Sequence, residues 1–271
     1  MTAVAAVIRR ELLVFSRYPS WVLSVVIWPV LFPLIYLLSS RALAGPGGEG
    51  VPAFVRTTGT DNIRGFIVIG TTAWMWLNIT LWSVGTSLRT DQLRGVLESN
   101  WLTPTPRFAM LLGTAASQAL LSLAFLAVSF VEFKVLLGVR FEANAAGGLA
   151  VLAASIPWIY GLGIAFAALV LRFKEANAMV YFVRGVFMVF AGISFPLSVL
   201  PGWMRGIAGG LPLTHTIGGA RAALLVGAGP GDLRGSLGFL LWSGALLLAA
   251  GYCCFQAVDR TIRRQGSVGH H

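Results

Sequence analysis

The chain has 271 residues, 56% of them hydrophobic and 11% charged, with a mean hydropathy of +0.79. A soluble domain carries about 25% charged residues, and a core of this size could not hide so many apolar side chains, so the composition excludes an ordinary soluble enzyme. Lys and Arg outnumber Asp and Glu 20 to 10; beside lipid, that excess reads as Arg flanking membrane spans rather than as a nucleic-acid surface.

Residues 3–18 predict an amphipathic helix at the membrane interface. Val4, Ile8, Leu12 and Phe15 recur at helical spacing, while Arg10 and Arg17 lie well round the helix. The first twenty residues lack the apolar core and small-residue cleavage site of a signal peptide. Residues 21–40 are long enough to span a bilayer of about 30 Å, with a kink expected at Pro29 and Pro33. Residues 41–64 read as a loop, because the run Gly45-Pro46-Gly47-Gly48-Glu49-Gly50 does not sustain a helix. The second span, 65–88, carries Thr71, Thr72, Trp74 and Asn78. Asn78 near mid-span is costly against lipid, so it either faces a route or cavity or makes an interhelical hydrogen bond.

The polar stretch 91–102 lies between two long apolar runs and must sit outside the hydrocarbon. It predicts one short helix across the membrane surface, ended by Pro104 and Pro106. Span three covers 108–131, and Glu132 and Lys134 after it form either an interfacial ion pair or a relay. Span four covers 146–171, with a bend expected at Pro157 and close packing at Gly161 and Gly163. A short turn holding Arg172, Lys174 and Glu175 leads to span five, 178–195, in which Arg184 either snorkels to the surface or pairs within the bundle. Residues 197–226 are cut by Pro201 and Pro212 into apolar pieces too short to span, which suggests re-entrant helices. Span six covers 233–257. Cys253 and Cys254 read as small apolar fillers and His215 as a loop residue, so no metal site is expected.

Together these elements predict an all-α polytopic membrane protein: one transmembrane domain over 1–271, with six spans and both termini on one side. Of the basic residues, 12 fall on the side of the 91–102 stretch and 8 on the other, which places that stretch and the termini in the cytoplasm. No Walker A, H-E-x-x-H, G-x-S-x-G or Cys/His metal spacing is present. The chain therefore reads as a non-enzyme whose driving energy enters from elsewhere. An ion-coupled carrier or passive channel is the other class that fits this composition.

An ordered set of motifs then points to a family. It comprises Arg9-Arg10-Glu11, Arg94-Gly95-Val96-Leu97-Glu98 with Thr103-Pro104, Leu112-Gly113, Ile193-Ser194-Phe195-Pro196, Leu200-Pro201-Gly202-Trp203, Leu211-Pro212-Leu213-Thr214 and Arg221. In this order the sequence resembles the permease subunit of ABC-2 type exporters, related to the ABCG-type (type V) fold, with Val96 where the family usually has Thr. The resemblance implies a coupling helix at 91–102 that meets a separate ATP-binding subunit through Asp91, Arg94, Gly95, Val96, Leu97 and Glu98. Arg10 would pack alongside, and Lys174 and Glu175 would make a smaller contact. It implies a translocation pathway along spans two and five (Thr71, Thr72, Trp74, Asn78, Phe187, Phe190) at the interface with a second copy or a paralogous permease, and an outer gate at Phe195, Pro196 and Trp203. ATP and Mg would be bound by the partner subunit, with no cofactor in this chain. The setting implied is a bacterial inner membrane, with lipids as neighbours and a drug, lipid or (lipo)saccharide moved out of the cytoplasm.

Overall fold

The structure is a computed structural model that describes residues 3–44, 50–141, 144–173 and 175–265, and its regular elements among these are helices. The first is α1 (Ala3–Arg17), followed by α2 (Pro19–Ala44), which keeps both Pro29 and Pro33 inside one helix. The stretch expected to be loop is partly helical: α2 runs on to Ala44, and α3 (Val51–Thr58) forms before the second span. Pro52 in the first turn of α3 and Gly59 at its C-cap, with φ +71°, punctuate it as helix signals do. Residues 45–49 lie outside the described set.

Next come α4 (Ile63–Ser83), α5 (Ser87–Leu93), α6 (Leu97–Trp101), α7 (Arg107–Val135), α8 (Ala145–Phe173) and α9 (Ala176–Phe190). Asn62 caps α4, its Oδ1 accepting from the Gly65 N–H at 2.8 Å. A 3₁₀ turn at Leu197–Val199 precedes α10 (Gly202–Gly209), α11 (Pro212–Leu225) and α12 (Pro230–Gln265). Among the described residues, five helical runs are long and apolar enough to cross a membrane: Pro19–Ala42, Ile63–Leu93, Arg107–Val135, Ala145–Phe173 and Pro230–Thr261. The fifth expected span, 178–195, is shorter in the structure. Helix α9 has 15 residues, roughly 22 Å, and the chain turns away at Gly192, where φ is +67°.

Helix α8 runs between α4 and α12. Glycines set the close approach to α12: a Cβ on Gly161 would lie 2.7 Å from the Leu248 nitrogen, and one on Gly251 would lie 2.9 Å from the Gly161 oxygen. Several buried polar groups pair inside the bundle, where lipid offers them no partner. Trp76 donates to the Tyr160 hydroxyl at 3.2 Å, and that hydroxyl donates to Ser122 at 3.0 Å. Trp158 donates to Thr216 at 3.1 Å, and Ser155 lies 2.8 Å from the same hydroxyl. These bonds join α4, α7, α8 and α11. The outward faces are apolar, with Trp28, Leu31 and Ile35 on α2, Leu120 and Leu123 on α7, and Leu241 and Trp242 on α12 all exposed. An all-α polytopic membrane protein results.

The bundle has two unlike ends. At one, α1 packs on the start of α7, with Val7 over Gly113, and Arg107 pairs with Asp259 of α12 at 2.5 Å. Helices α5 and α6 lie there too. At the other end are α3, the start of α4 and the irregular stretch after α9. Arg221 of α11 joins the last two of these: its guanidinium donates to the carbonyls of Phe66 (2.9 and 3.0 Å), Gly192 (2.9 Å) and Ile193 (2.6 Å). Gly70 makes room for this, since a Cβ there would fall 1.9 Å from the Ile193 oxygen. Gly70→Ala should therefore cost roughly 1–3 kcal/mol through overpacking against backbone. Gly238→Ala, on an open face of α12 with nothing within 4 Å, should be neutral or stabilise by up to about 1 kcal/mol. Thermal unfolding of the detergent-solubilised chain distinguishes them, and equal shifts in the two variants would contradict the packing described.

Candidate functional site

The polar stretch after α4 is built from two short helices, not the single helix over 91–102 expected from sequence. Helix α5 stops because Gly95 takes φ +71°. The Val96 N–H bonds to the Asp91 carbonyl at 3.1 Å and the Gly95 N–H to the Gln92 carbonyl at 3.0 Å, which is the Schellman closure of a helix with glycine in the left-handed position. Helix α6 begins two residues later.

This break sorts the side chains onto two faces. Leu88, Gln92, Leu97 and Trp101 are buried. Leu93 (61% exposed), Val96 (39%) and Leu102 (87%) point outward, among the exposed Arg94, Gly95, Glu98 and Ser99. Leu97, expected from sequence at the partner contact, instead anchors α6 from beneath. Apolar side chains interleaved with one cation and one anion make a surface suited to a protein partner.

The inner face is tied to the membrane helices. The Arg107 guanidinium sits 4.4 Å from the centre of the Trp101 ring and bonds to Asp259, so α6, α7 and α12 meet at one cation. Asp91 is half-buried at the edge of a cleft of about 80 Å³ that is also lined by Val7, Arg10, Trp101 and Met110. Arg10 is exposed and pairs with Glu11 at 2.6 Å, so α1 brings its polar face alongside α5. Helix α5 packs on α8, which places the exposed Arg172, Phe173 and Glu175 at the same end. Lys174 lies outside the described residues.

The residues expected along a pathway are placed differently. Thr71, Thr72, Trp74 and Phe187 are buried within the chain itself. Thr71 turns its hydroxyl back to the Ile67 carbonyl at 2.8 Å. Trp74 stacks on Phe32 at 4.9 Å, and its indole N–H donates to the Arg184 carbonyl at 3.3 Å. Arg184 is half-buried and lies over Trp74 and the exposed Tyr181, at 5.1 and 5.3 Å. Asn78 is half-buried, and its Oδ1 has no hydrogen-bond partner among the described residues. Phe190 meets the exposed Trp203 edge to face at 6.2 Å. Phe195 and Pro196 are half-buried on the stretch between α9 and the 3₁₀ turn.

Two further expectations are corrected, and one pair is new. Glu132 is buried, and among the described residues it forms no salt bridge with Lys134. His215 is helical, not in a loop: it stacks on Phe239 at 4.0 Å, with Nε2 2.9 Å from the Gly209 carbonyl. Arg107 and Asp259 were not singled out from sequence, because 152 positions separate them and no spacing signals the pair. Among the described residues, no group of three or more His, Cys, Asp or Glu is placed to hold a metal.

Among the described residues, the apolar bundle thus ends in a paired-helix surface that exposes Leu93, Val96 and Leu102 beside Arg94 and Glu98. The chain belongs to the ABC-2 type transporter family, whose model matches residues 2–225. It is the permease subunit of an ABC exporter; ATP hydrolysis belongs to a separate subunit, so this chain is not itself an enzyme. It is similar to the daunorubicin resistance ABC transporter permease protein DrrB1 of Streptomyces coeruleorubidus, with 27% identity over 240 residues, 86% of this chain and 79% of the relative.

The break at Gly95 is testable apart from any side-chain contact, because nothing lies within 4 Å of its would-be Cβ. Gly95→Val should strain the left-handed turn by roughly 1–2 kcal/mol and lower partner-dependent transport. Gly95→Asn, which tolerates this conformation, should retain most of it. Transport assays on both variants at matched membrane levels check this, and equal loss in both would count against a backbone role.

Proposed function

We propose that the chain forms the translocation pathway of an ATP-driven exporter as a dimer, with itself or a paralogous permease, and that separate subunits binding ATP and Mg dock on its α5–α6 surface. The observation that carries this reading is the outward stripe of Leu93, Val96 and Leu102 with Arg94 and Glu98, held at the end of the bundle where α1 and the end of α12 also lie. That end faces the cytoplasm of a bacterial inner membrane, and α9 completes six crossings together with the irregular residues after it.

Asp91, Arg94, Gly95, Val96 and Glu98 make or shape the main contact. Leu97 supports it from beneath, and Arg10, Lys174 and Glu175 flank it. Within the route, Asn78 and Phe190 are the members that the closed chain leaves partly open. Thr71, Thr72, Trp74 and Phe187 become accessible only when α4 and α9 part from α2 and α8. Phe195, Pro196 and Trp203 form the gate at the far end. The cargo is a drug, a lipid or a (lipo)saccharide, and the name of the daunorubicin-resistance relative favours an amphipathic drug.

Charge reversal at the docking surface tests this. Glu98→Arg changes an exposed residue, so the helices should still insert, while ATP turnover stimulated by the permease should fall at least roughly tenfold, as expected when like charges meet across an interface. A membrane-inserted Glu98→Arg variant with normal ATP turnover and transport would remove the coupling role from this surface.

A further inference from the structure

The end of the bundle remote from α5 and α6 carries a second built feature that the transport reading leaves unused. A groove of about 190 Å³ lies between α2, the start of α4 and the end of α7, lined by Leu34, Leu37, Leu38, Arg41, Arg64 and the Leu136–Leu137 pair. We propose that this groove holds one anionic phospholipid, with its phosphate between Arg41 and Arg64 and an acyl chain along the leucines.

The arrangement follows the depth profile of a lipid. Leu34, Leu37, Leu38 and Arg41 stand at i, i+3, i+4 and i+7 on α2, one continuous stripe of a helix face, and the stripe changes from leucine to arginine in the last turn. The facing wall comes from Leu136 and Leu137, just past α7, where Gly138 takes φ +60° and turns the chain. Arg64 lies in the first turn of α4 and donates from Nη1 to the Leu137 carbonyl at 3.0 Å. That bond holds the guanidinium at the mouth of the groove and leaves its remaining N–H groups free to meet an anion, since arginine carries five. Both arginines are exposed, and among the described residues neither forms a salt bridge.

Two cations at headgroup depth above an apolar wall complement a phosphodiester that bears a net negative charge. A zwitterionic lipid would bring its own cation against the arginines. A free phosphate would leave the leucine wall without an occupant. A second copy of the chain would set this cationic mouth against another surface without supplying the anion.

The test uses the full-length chain in mild detergent and native mass spectrometry, with phosphatidylglycerol, phosphatidylcholine and inorganic phosphate as probes. The expected result is one phosphatidylglycerol retained roughly tenfold more tightly than phosphatidylcholine and not displaced by millimolar phosphate. Arg41→Gln and Arg64→Gln should each weaken that binding roughly tenfold. Arg234→Gln, at the same end of the bundle but outside the groove, should leave it unchanged. Leu38→Glu, an exposed wall position, should also expel the lipid with both arginines intact, which separates lipid loss from loss of the Arg64 tether. Equal retention of the two lipids, displacement by phosphate alone, or an equal loss in Arg234→Gln would overturn the proposal.

Discussion

The contact on which the rest of the bundle depends is between the Arg221 guanidinium and three backbone carbonyls. Helix α9 ends at Phe190 while the chain is still buried, so Gly192 and Ile193 bring carbonyls into the interior with no helical partner. At membrane depth an unsatisfied backbone group costs several kcal/mol. One arginine answers both carbonyls and also reaches Phe66 on α4, with the Phe66 ring 3.3 Å beneath its guanidinium carbon. A lysine presents a compact ammonium in place of a planar fork and could not span the same set. Gly70 completes the arrangement by leaving no side chain where the Ile193 oxygen must sit.

That contact makes α4 the member shared by both ends. Its first turns are held by Arg221, and its middle is bonded to α8 through Trp76 and Tyr160. Its last turn continues through a short break into α5. Below, Trp101, Arg107 and Asp259 fasten α6 to α7 and α12. A push on the exposed side of α5 and α6 therefore acts on helices already joined to one another and, through α4, on the segment around Phe190 and Trp203. Under the proposed docking of an ATP-binding subunit on α5 and α6, a bundle linked in this way would move as bodies about an interface, which is how packed helices convert a local push into a distant opening.

Much of this was legible in the residues. The apolar runs over 21–40, 108–131 and 146–171 lie inside α2, α7 and α8, because lipid demands long apolar helices and leaves little ambiguity. The short pieces between α9 and α12 were announced by Pro196, Pro201 and Pro212. Gly95 is the one glycine of the polar stretch, yet a lone glycine in a sequence does not say whether it will sit in a helix or end one. Helix α3 was hidden by the glycines before it, although Pro52 and Gly59 bracket it with ordinary start and stop signals. What could not be read was which way side chains face on α4. Its first two-thirds are apolar and buried on every side, so no period marks a face, and Thr71 and Trp74 gave no sign that they turn inward. The partners of Arg221 and Arg107 lie up to 155 and 152 positions away, beyond the reach of any local pattern.

The central claim is that the α5–α6 surface is where the ATP-binding subunit meets this chain. The most direct measurement places a photo-crosslinking side chain at Val96 or Leu102, both exposed on that surface, and at Leu120, exposed on α7, in native membranes. Crosslinks from Val96 and Leu102 to a protein with nucleotide-dependent ATPase activity, and none from Leu120, are the expected result. Crosslinks to that protein from Leu120 alone, or none from the two surface positions while the complex is intact, would contradict it.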